Sequence, residues 1–363
     1  MHKLKIAVIG LKGLPAFGGA ATVGENIIEQ LKDEFKFTVY AVSSHTDRHG
    51  EVNGYYQHVF STFFIKKLNV FLYYLKSMLH ALFTADYDVI HLHHADAAFI
   101  IPFLRIRYKV ICTSHAQAQV NEKWPGYVKF FFKINEWIML RTASQVTAVS
   151  IPLTEAYKSM IKRNILYIPN GISLQQPVSD EFIPFNDYLL FAAGRIIPLK
   201  GLHVLLKAVK TINYTGKLLV VGDLDQLPKY KEEILELSKG LNVEFVDIIK
   251  EKTKLLNFVK NAKLFIFPSY SENMSIMLLE AAYVKTPVIC SDIPANKAIF
   301  EPGEVLFFKT NDEKDLADKL MYAEQNTEAL REHTRKAFEK LTAQYNWTDI
   351  AAQYKTLYLQ LAK

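Results

Sequence analysis

The sequence predicts two consecutive α/β domains, each built on a parallel β-sheet that is covered by helices. Short runs rich in β-branched residues alternate with longer amphipathic runs along most of the chain. One proline-containing segment, residues 168–185, interrupts this alternation, which then starts again. The length of 363 residues also exceeds what one ordinary hydrophobic core supports. Together these observations favour two tandem Rossmann-like domains with parallel sheets.

The first domain is expected over residues 1–170. Each strand–helix–strand unit normally forms a right-handed parallel connection, so its elements predict one parallel sheet. Amphipathic runs at 20–33 and 127–142 predict two of its helices. Its strands are expected at 4–9, 37–42, 88–92, 109–113, 146–149 and 165–168.

A linker is expected at 171–186 and the second domain at 187–345, with only helical pattern near its end. Ligands of such folds bind outside the carboxyl ends of the parallel strands, so we expect the active site in the cleft between the domains. The predicted helices cover 201–212, 229–239, 252–261 and 275–284. The predicted strands cover 188–194, 217–222, 243–246, 263–268 and 287–291.

Charge is distributed unevenly along the chain. Residues 1–172 carry 19 lysines and arginines and 12 acidic residues, a net charge of +7, whereas residues 173–363 carry 24 and 25, a net charge of −1. The basic half suggests an anionic surface or ligand, such as a membrane phospholipid or a lipid-linked diphosphate, although a well-solvated face explains it equally well. The modest excess argues against nucleic acid as a partner.

Cys112 and Cys290 each lie in an apolar, strand-like run, so both are expected to be buried free thiols in a reducing compartment. The sequence shows no zinc-ligand spacing, no secretory signal pattern at its start and no uncharged apolar run of about 18 residues. We therefore expect a cytoplasmic protein without a transmembrane helix. Docking on the inner membrane face stays open.

The segment GLKGLPAFGGAATVGENI, residues 10–27, follows a predicted strand and opens a helix. Gly18 and Gly19 let a ligand approach the backbone closely, and the helix N-terminus offers free amides to an anion such as a diphosphate. The spacing of the glycines does not match the Gly-x-Gly-x-x-Gly dinucleotide motif. A glycine turn that serves only packing is the alternative.

Arg195 and Lys200 lie in the segment GRIIPLKG, residues 194–201, directly after a predicted strand. Arginine presents a planar set of donors and lysine a compact charge. Together they can stabilise the negative charge that grows on a departing diphosphate. Two solvated surface cations are the alternative.

The segment PSYSENMSIMLLEAA, residues 268–282, carries two carboxylates. Glu272 is expected in a loop after a strand, and Glu280 inside the next helix among apolar neighbours. A carboxylate in that position needs a hydrogen-bonding partner, which a ribose diol, a salt bridge or solvent can provide. The start of this helix suits an anion. The backbone amides concerned are those of Asn273, Met274, Ser275 and Ile276.

Histidines cluster in HLHH, residues 91–94, and in TSHAQ, where His115 immediately follows a predicted strand. Site residues gather at strand ends in α/β folds, so His115 is a candidate catalytic residue. No spacing of carboxylates and histidines supports a metal site. For His91 and His93 we expect structural roles.

The order of these motifs resembles glycosyltransferase family 4, whose fold is called GT-B. It consists of the Gly-Gly loop, the strand-end histidine, Gly-Arg-x4-Lys-Gly and Pro-Ser-x3-Glu-x7-Glu-Ala. The resemblance covers nearly the whole chain, including VTAVS at 146–150 and IPNGIS at 168–173. Within the family, the segment 10–27 is most similar to rhamnosyltransferase-like enzymes of surface polysaccharide synthesis.

The resemblance implies a role for each matching residue. Gly19 and its neighbours would lie against the donor phosphates, while Arg195 and Lys200 would neutralise the diphosphate leaving group. Glu280 would bind the donor ribose, and Glu272 would contact sugar hydroxyls near the reacting carbon.

The resemblance also implies that the amides of 273–276 hold the sugar and phosphate and that His115 steadies the charged transition state. Anomeric configuration would be retained, and the donor phosphate would take the acceptor proton. No metal or other cofactor would be required, because cations and helix N-termini replace it. The first domain would bind the acceptor and the second the nucleotide-sugar donor, with the final helix, 346–363, packed back on the first domain.

Four features depart from the family pattern. The usual Glu-Gly-x-Gly is ENMS at 272–275, and Lys285 replaces the glycine of Gly-x-Pro-Val. Glu25 is shifted along the chain, and Asp247 occupies a position near the base that is often glycine. Because side chains at ENMS narrow the space over the sugar, donor choice is expected to differ.

Residues 60–83 and 127–141 interleave aromatic and aliphatic residues with lysines, as amphipathic faces at a membrane interface do. Helices packed on the first sheet, with lysines outward, are the favoured alternative for most of these residues.

The motifs and the family resemblance predict a retaining, hexosyltransferase-type glycosyltransferase. It would move a sugar from a nucleotide diphosphate-sugar to a glycan or lipid-linked acceptor in surface polysaccharide synthesis. Two alternatives stay open: a nucleotide-sugar epimerase of the same fold, which needs no acceptor, and a non-catalytic scaffold protein with that fold.

Overall fold

The chain divides into two compact units. The first comprises Met1–Asn170 together with Trp347–Lys363, and the second comprises Gly171–Asn346. The segment 171–186, expected to be a linker, is thus counted within the second unit. The structure is a computed structural model that describes residues 3–16, 18–62, 69–117, 125–175 and 177–362.

The sheet of the first unit has eight strands: β1 (Lys5–Lys12), β2 (Lys36–Val42), β3 (Gly50–Val52), β4 (Tyr55–Phe60), β5 (Val89–His93), β6 (Lys109–Ser114), β7 (Gln145–Ala148) and β8 (Ile165–Tyr167). Their order is β3-β4-β2-β1-β5-β6-β7-β8. All neighbours are parallel except β3 and β4, which pair antiparallel at the edge. The central strands β1, β5 and β6 are buried along nearly their whole length, because helices cover both faces of a parallel sheet.

The helices of the first unit are α1 (Gly19–Leu31), α2 (Asn69–Phe83), α3 (Ile101–Leu104), α4 (Gly126–Thr142) and α5 (Ile151–Met160), with a 3-10 helix at Ala95–Ile100. The inward side chains of α2, α3, α4, α5 and the 3-10 helix join those of β1, β5 and β6 in one buried cluster. Among the members of that cluster is Cys112, which is a free buried thiol as expected.

The second unit has a six-stranded, fully parallel sheet in the order β11-β10-β9-β12-β13-β14. Its strands are β9 (Tyr188–Arg195), β10 (Lys217–Asp223), β11 (Val243–Val246), β12 (Leu264–Phe267), β13 (Val288–Ser291) and β14 (Leu306–Phe308). Its helices are α6 (Leu202–Thr211), α7 (Pro228–Ser238), α8 (Lys252–Lys260), α9 (Ile276–Tyr283), α10 (Pro294–Lys297), α11 (Glu313–Gln325) and α12 (Thr327–Gln344). The second thiol, Cys290, is buried in β13 and free.

The last helix, α13 (Trp347–Leu361), belongs to the first unit and packs against α1. Tyr358 is fully buried there, and its ring lies 5.5 Å from that of Phe35. Its hydroxyl lies 2.8 Å from Nδ1 of His91 in β5. This helix is therefore joined to the sheet by a buried polar contact as well as by apolar packing.

The prediction of two α/β domains with parallel sheets is confirmed. Three strands were not predicted: β3, β4 and β14. The first two lie at or next to a sheet edge: β3 is only Gly-Glu-Val, and β4 begins with the consecutive residues Tyr-Tyr-Gln-His. Since β14 also has only three residues, none shows the long β-branched run used for the prediction. No helix within the described ranges is long and apolar enough to cross a membrane.

Candidate active site

Two loops at the carboxyl edge of the second sheet meet at their backbones. The first runs from the end of β9 through a 3-10 turn at Pro198–Lys200 to α6, and the second follows β12. Gly201 has φ of +71°, and a Cβ there would lie 2.0 Å from the carbonyl oxygen of Pro268. The amide of Tyr270 donates to the carbonyl of Leu199 at 2.9 Å. The two loops are thus in direct contact, which requires glycine at position 201.

This contact brings two predicted site residues together. Lys200 Nζ donates to Glu272 Oε1 at 2.5 Å, although 72 residues separate them in the chain. The lysine side chain is 26% exposed and that of the glutamate 13%. The pair is therefore partly shielded from water, where a charge-assisted hydrogen bond is stronger than on an open surface.

A chain of side-chain hydrogen bonds that starts at Tyr270 connects the second loop to neighbouring elements. Tyr270 Oη lies 2.5 Å from Nε2 of His203 and donates to Asn311 Oδ1 at 3.0 Å. His203 Nδ1 lies 2.8 Å from the hydroxyl of Tyr230. Burial lowers the pKa of His203, so its neutral ring can accept at one nitrogen and donate at the other. The loop that carries Glu272 is thereby tied to α6 and α7.

Glu280 lies inside α9 and is buried, as the sequence predicted. Of the partners that the sequence left open, the structure shows a salt bridge: Lys252, the first residue of α8, pairs with its Oε2. Burial raises the pKa of the Glu280 carboxyl, and the attraction and hydrogen bond of Lys252 oppose that rise. Lys252 lies outside the predicted site residues, because its spacing from Glu280 matches no motif.

The segment before α9 is non-helical up to Ser275, whose hydroxyl caps the helix by accepting from the amide of Leu278. Asn273 and Ser275 are half-buried, and Met274 is buried. The first amides of a helix have no intrahelical acceptor, so the amide of Ile276 and those just before it stay suited to an anion.

A cavity of about 160 Å³ lies at the carboxyl ends of β9, β10 and β12. Its lining combines a cation and a helix-capping serine with apolar walls, a composition typical of ligand sites. The second unit also has a larger surface depression, of about 370 Å³, beside Lys285. Two arginines line it, and both are already paired: Arg331 with Glu328, and Arg335 with Glu332 and Glu339. The smaller cavity is lined by Gly194, Lys200, Ile249, Leu255, Ser275 and Met277, among others.

Arg195 behaves differently from Lys200. It is the last residue of β9, where it is exposed and pairs in register with Asp223. It forms no ion pair with any residue in the described ranges of the chain. The structure therefore brings Lys200 to Glu272 but shows no direct contact of Arg195 with either.

In the first unit, the Gly-Gly turn opens α1. Gly18 has φ of +104°, and α1 begins at Gly19 without a side-chain cap. A Cβ at either glycine would meet no atom within 4 Å, whereas one at Gly10 would lie 1.9 Å from the carbonyl oxygen of His93. Packing therefore explains Gly10 but not Gly18 or Gly19, whose surface is left open to a ligand.

His115 follows β6 directly and lies beside other histidines. Its Nε2 lies 3.1 Å from Nδ1 of His93, and the two rings stack with centroids 5.4 Å apart. Burial, with smaller contributions from His93 and His94, holds the pKa of His115 well below its usual range. This side chain is consequently a neutral hydrogen-bonding group near pH 7.

The expected structural role of His91 is confirmed by its contacts. It is fully buried, and besides Tyr358 it contacts Thr113 Oγ1 through Nε2 at 2.7 Å. His93 is equally buried and is bonded to His115. Within the described parts of the chain, no cluster of three or more histidine, cysteine, aspartate or glutamate side chains could hold a metal ion.

Known proteins share this fold. The chain aligns with sucrose-phosphate synthase of Thermosynechococcus elongatus with a TM-score of 0.85 at 22% identity, covering 99% of both chains. It aligns with HepE of Anabaena, solved in complex with UDP-glucose, with a TM-score of 0.78 at 17% identity, covering 98% of this chain and 99% of that one. These similarities identify the fold as GT-B.

Sequence comparisons show which family of GT-B proteins the chain matches. Residues 17–176 match the model described as Glycosyltransferase Family 4, and residues 178–340 match that described as Glycosyl transferases group 1. The chain belongs to glycosyltransferase family 4. It is 29% identical to the capsular polysaccharide biosynthesis glycosyltransferase CapM of Staphylococcus aureus, over 64% of this chain and 66% of that protein. It is 25% identical to the phosphatidyl-myo-inositol mannosyltransferase of Mycobacterium leprae, over 76% and 74%.

The contact at Gly201 can be tested by comparing two alanine substitutions. Gly201→Ala and Gly240→Ala both place a side chain at positive φ, +71° and +79°, but only Gly201 faces a backbone oxygen. We expect Gly240→Ala to cost about 1–2 kcal/mol of unfolding free energy, and Gly201→Ala at least ~2 kcal/mol more, because the loops must separate. Urea unfolding of each variant measures this difference, and equal losses would contradict the proposed loop contact.

Proposed function

We propose that this protein is a retaining glycosyltransferase that uses a nucleotide diphosphate-sugar as donor. The observation that carries the proposal is the partly shielded pair of Lys200 and Glu272 beside a cavity at the carboxyl edge of the second sheet. An ammonium group suits a diphosphate, and a carboxylate suits sugar hydroxyls. The structure of HepE was solved with UDP-glucose, which supports the same donor class for this chain.

When the donor binds, Lys200 and Glu272 are proposed to leave each other and to bind the donor instead. As the diphosphate enters, Lys200 turns from Glu272 to the phosphate oxygens, and Glu272 becomes free to accept from the sugar hydroxyls. Arg195, exposed and unpaired among the described residues, adds a second cation. The amides of Asn273, Met274, Ser275 and Ile276 are proposed to hold the sugar and phosphate, since they lie at the start of α9.

The proposed transfer conserves atoms and charge. The acceptor hydroxyl oxygen forms a bond to the anomeric carbon on the face from which the diphosphate leaves. The bond from that carbon to the phosphate oxygen breaks, and the hydroxyl proton passes to the departing phosphate. Lys200 and Arg195 stabilise the charge that grows on this leaving group, so no metal ion is invoked.

The first unit is proposed to bind the acceptor and to add two groups to the reaction. Gly18 and Gly19 leave an open backbone surface at the start of α1 for the donor phosphates. His115, which desolvation keeps neutral, donates a hydrogen bond beside the donor sugar without adding charge. A glycan or lipid-linked acceptor in surface polysaccharide synthesis is proposed because CapM is a capsular polysaccharide enzyme and another relative acts on a phosphatidylinositol lipid.

Activity measurements on variants of Lys200 test the proposal. A thermal-shift screen of UDP-, GDP-, ADP- and dTDP-sugars first identifies the donor, which should raise the melting temperature. With that donor, Lys200→Ala is expected to lower kcat/KM at least about 100-fold, because the leaving group loses a charge partner. Lys207→Ala, at an exposed position of α6, is the matched control and should leave kcat/KM unchanged. An unchanged kcat/KM in Lys200→Ala would contradict the role of Lys200. Absence of sugar transfer by the wild type with every donor would favour a scaffold, and sugar conversion without acceptor would favour an epimerase.

We further propose that the first unit docks on an anionic membrane through α4. The exposed side of this helix carries an apolar stripe, whereas its buried side includes Asn135 and Glu136. Arg141 lies over the Trp137 ring at 4.9 Å. By contrast, α2 exposes only Phe71, Leu79 and Phe83 among its aromatic and apolar side chains, and the others are buried or half-buried. This agrees with the packing alternative for the described part of 60–83; residues 63–68 lie outside the described ranges. The stripe consists of Tyr127, Phe130, Phe131, Ile134 and Trp137.

The charge around α4 also favours an anionic membrane as the partner. Glu136 is the only acidic residue of α4 and is buried, and α2 and α3 have none. The exposed face therefore combines aromatic side chains with cations such as Lys133 and Arg141. Such a face favours anionic headgroups over a neutral surface.

Vesicle binding tests this docking. We expect the protein to co-sediment with vesicles of phosphatidylcholine and phosphatidylglycerol at low salt, and less at high salt because the attraction is screened. The double variant Phe130→Ser, Trp137→Ser should bind at least about tenfold more weakly, since it loses apolar contact area. Phe182→Ser, which changes an 87% exposed phenylalanine of the second unit, should bind as the wild type does. Absence of binding at low salt would contradict the docking.

A further inference from the structure

The ion pair of Lys252 and Glu280 is not part of any sequence motif described above. The Glu280 side chain is only 7% exposed and that of Lys252 is 35% exposed, so the pair reaches from the protein interior towards its surface. The bond uses Oε2 of the carboxylate. The other oxygen, Oε1, has no hydrogen-bond partner among the described residues.

Few other charges face this carboxylate. Helices α8 and α12 both pack on α9. From α8 the facing group is Lys252, and no other charge in the described residues shifts the pKa of Glu280. At the end of α9 the contact with α12 is aromatic: Tyr283 stacks on Phe338 at 5.9 Å, and Lys285 Nζ lies 4.2 Å from the same ring. Lys252 therefore acts alone on the charge of Glu280.

Helix geometry places the pair next to the cavity of the second unit. Leu255 lines this cavity and lies three residues after Lys252 in α8. Met277 lines it as well and lies three residues before Glu280 in α9. Side chains three residues apart share a helix face. Neither member of the pair lines the cavity itself, but each lies next to a lining residue on the same face of its helix.

We propose that Lys252 is a positioning residue of the donor site, which holds Glu280 charged and oriented so that the ribose hydroxyls of the donor can donate to it. The inference rests on the proposed function and deepens it. An ionised carboxylate can accept hydrogen bonds from both hydroxyls of a ribose. A protonated carboxyl has fewer acceptor sites, because one of its oxygens carries a proton. Burial alone disfavours the charged form of Glu280, so an adjacent cation is needed to keep it.

The sign of the pH dependence follows from these two opposing effects. Removing Lys252 leaves burial unopposed, which moves the pKa of Glu280 further upward. Ribose recognition requires the ionised carboxylate, so it is lost as pH falls through that pKa. The Lys252→Met variant should therefore lose ribose recognition at a higher pH than the wild type does.

Binding of nucleoside diphosphates by titration calorimetry tests this role. The probes are UDP, GDP and ADP, each paired with its 2′-deoxy form, at several pH values between about 6 and 9. For the base that binds, the wild type should prefer the ribose form at least about tenfold at pH 7. In Lys252→Met this ratio should approach one at pH 7 and recover as pH rises. Lys252→Arg should keep the preference, because it preserves the charge.

Lys263→Met is the matched control, since it removes a lysine paired with Glu324 at comparable exposure but at the amino end of β12. It should keep the wild-type ratio at every pH. Melting temperatures of all variants show whether each is folded. A wild-type ratio in Lys252→Met across the pH range, or a loss that is equal for both sugars and independent of pH, would overturn the assignment. Failure of the wild type to bind any nucleoside diphosphate would instead contradict the proposed function.

Discussion

Lys200 Nζ and Glu272 Oε1 lie 2.5 Å apart, and the arrangement of the second unit's site follows from that contact. A lysine and a glutamate 72 residues apart meet only because their loops touch at the backbone. Gly201 permits this approach, and the hydrogen bond from Tyr270 to Leu199 maintains it. Opposite charges held so close at the mouth of a cavity neutralise each other until a ligand offers each a better partner. The pair therefore links the two loops, and in the proposed function it is also the place where the donor binds.

The second carboxylate of the motif is arranged in the same way. Glu280 is more deeply buried than Glu272, and it also has a lysine partner, Lys252. A buried carboxylate without a partner would be costly or protonated, so this lysine preserves a charge that the interior opposes. The first unit follows a different principle: His115 and His93 are kept neutral by burial, and Gly18 leaves backbone open. The charged candidate site residues thus lie in the second unit, whereas those of the first unit are neutral hydrogen-bonding groups.

The sequence predicted the architecture because buried parallel strands are continuous apolar runs, which are easily recognised. It placed Glu272 after a strand and Glu280 inside a helix, as the structure shows. It could not show which lysine each carboxylate meets, since contacts across loops depend on the twist and register of strands. Lys252 was missed for this reason. Arg195 was grouped with Lys200 by spacing, yet it lies at the end of β9 with its side chain exposed. Strands at or next to the sheet edge, such as β4, escaped prediction because their polar residues resemble those of loops.

The most direct test of this account is a crystal structure of the protein with its nucleotide diphosphate-sugar, or with an unreactive analogue of it. The account predicts that Lys200 Nζ has left Glu272 and lies within hydrogen-bonding distance of a diphosphate oxygen, with Glu272 accepting from a sugar hydroxyl. A donor bound elsewhere on the second unit, with the contact between Lys200 and Glu272 intact, would contradict it.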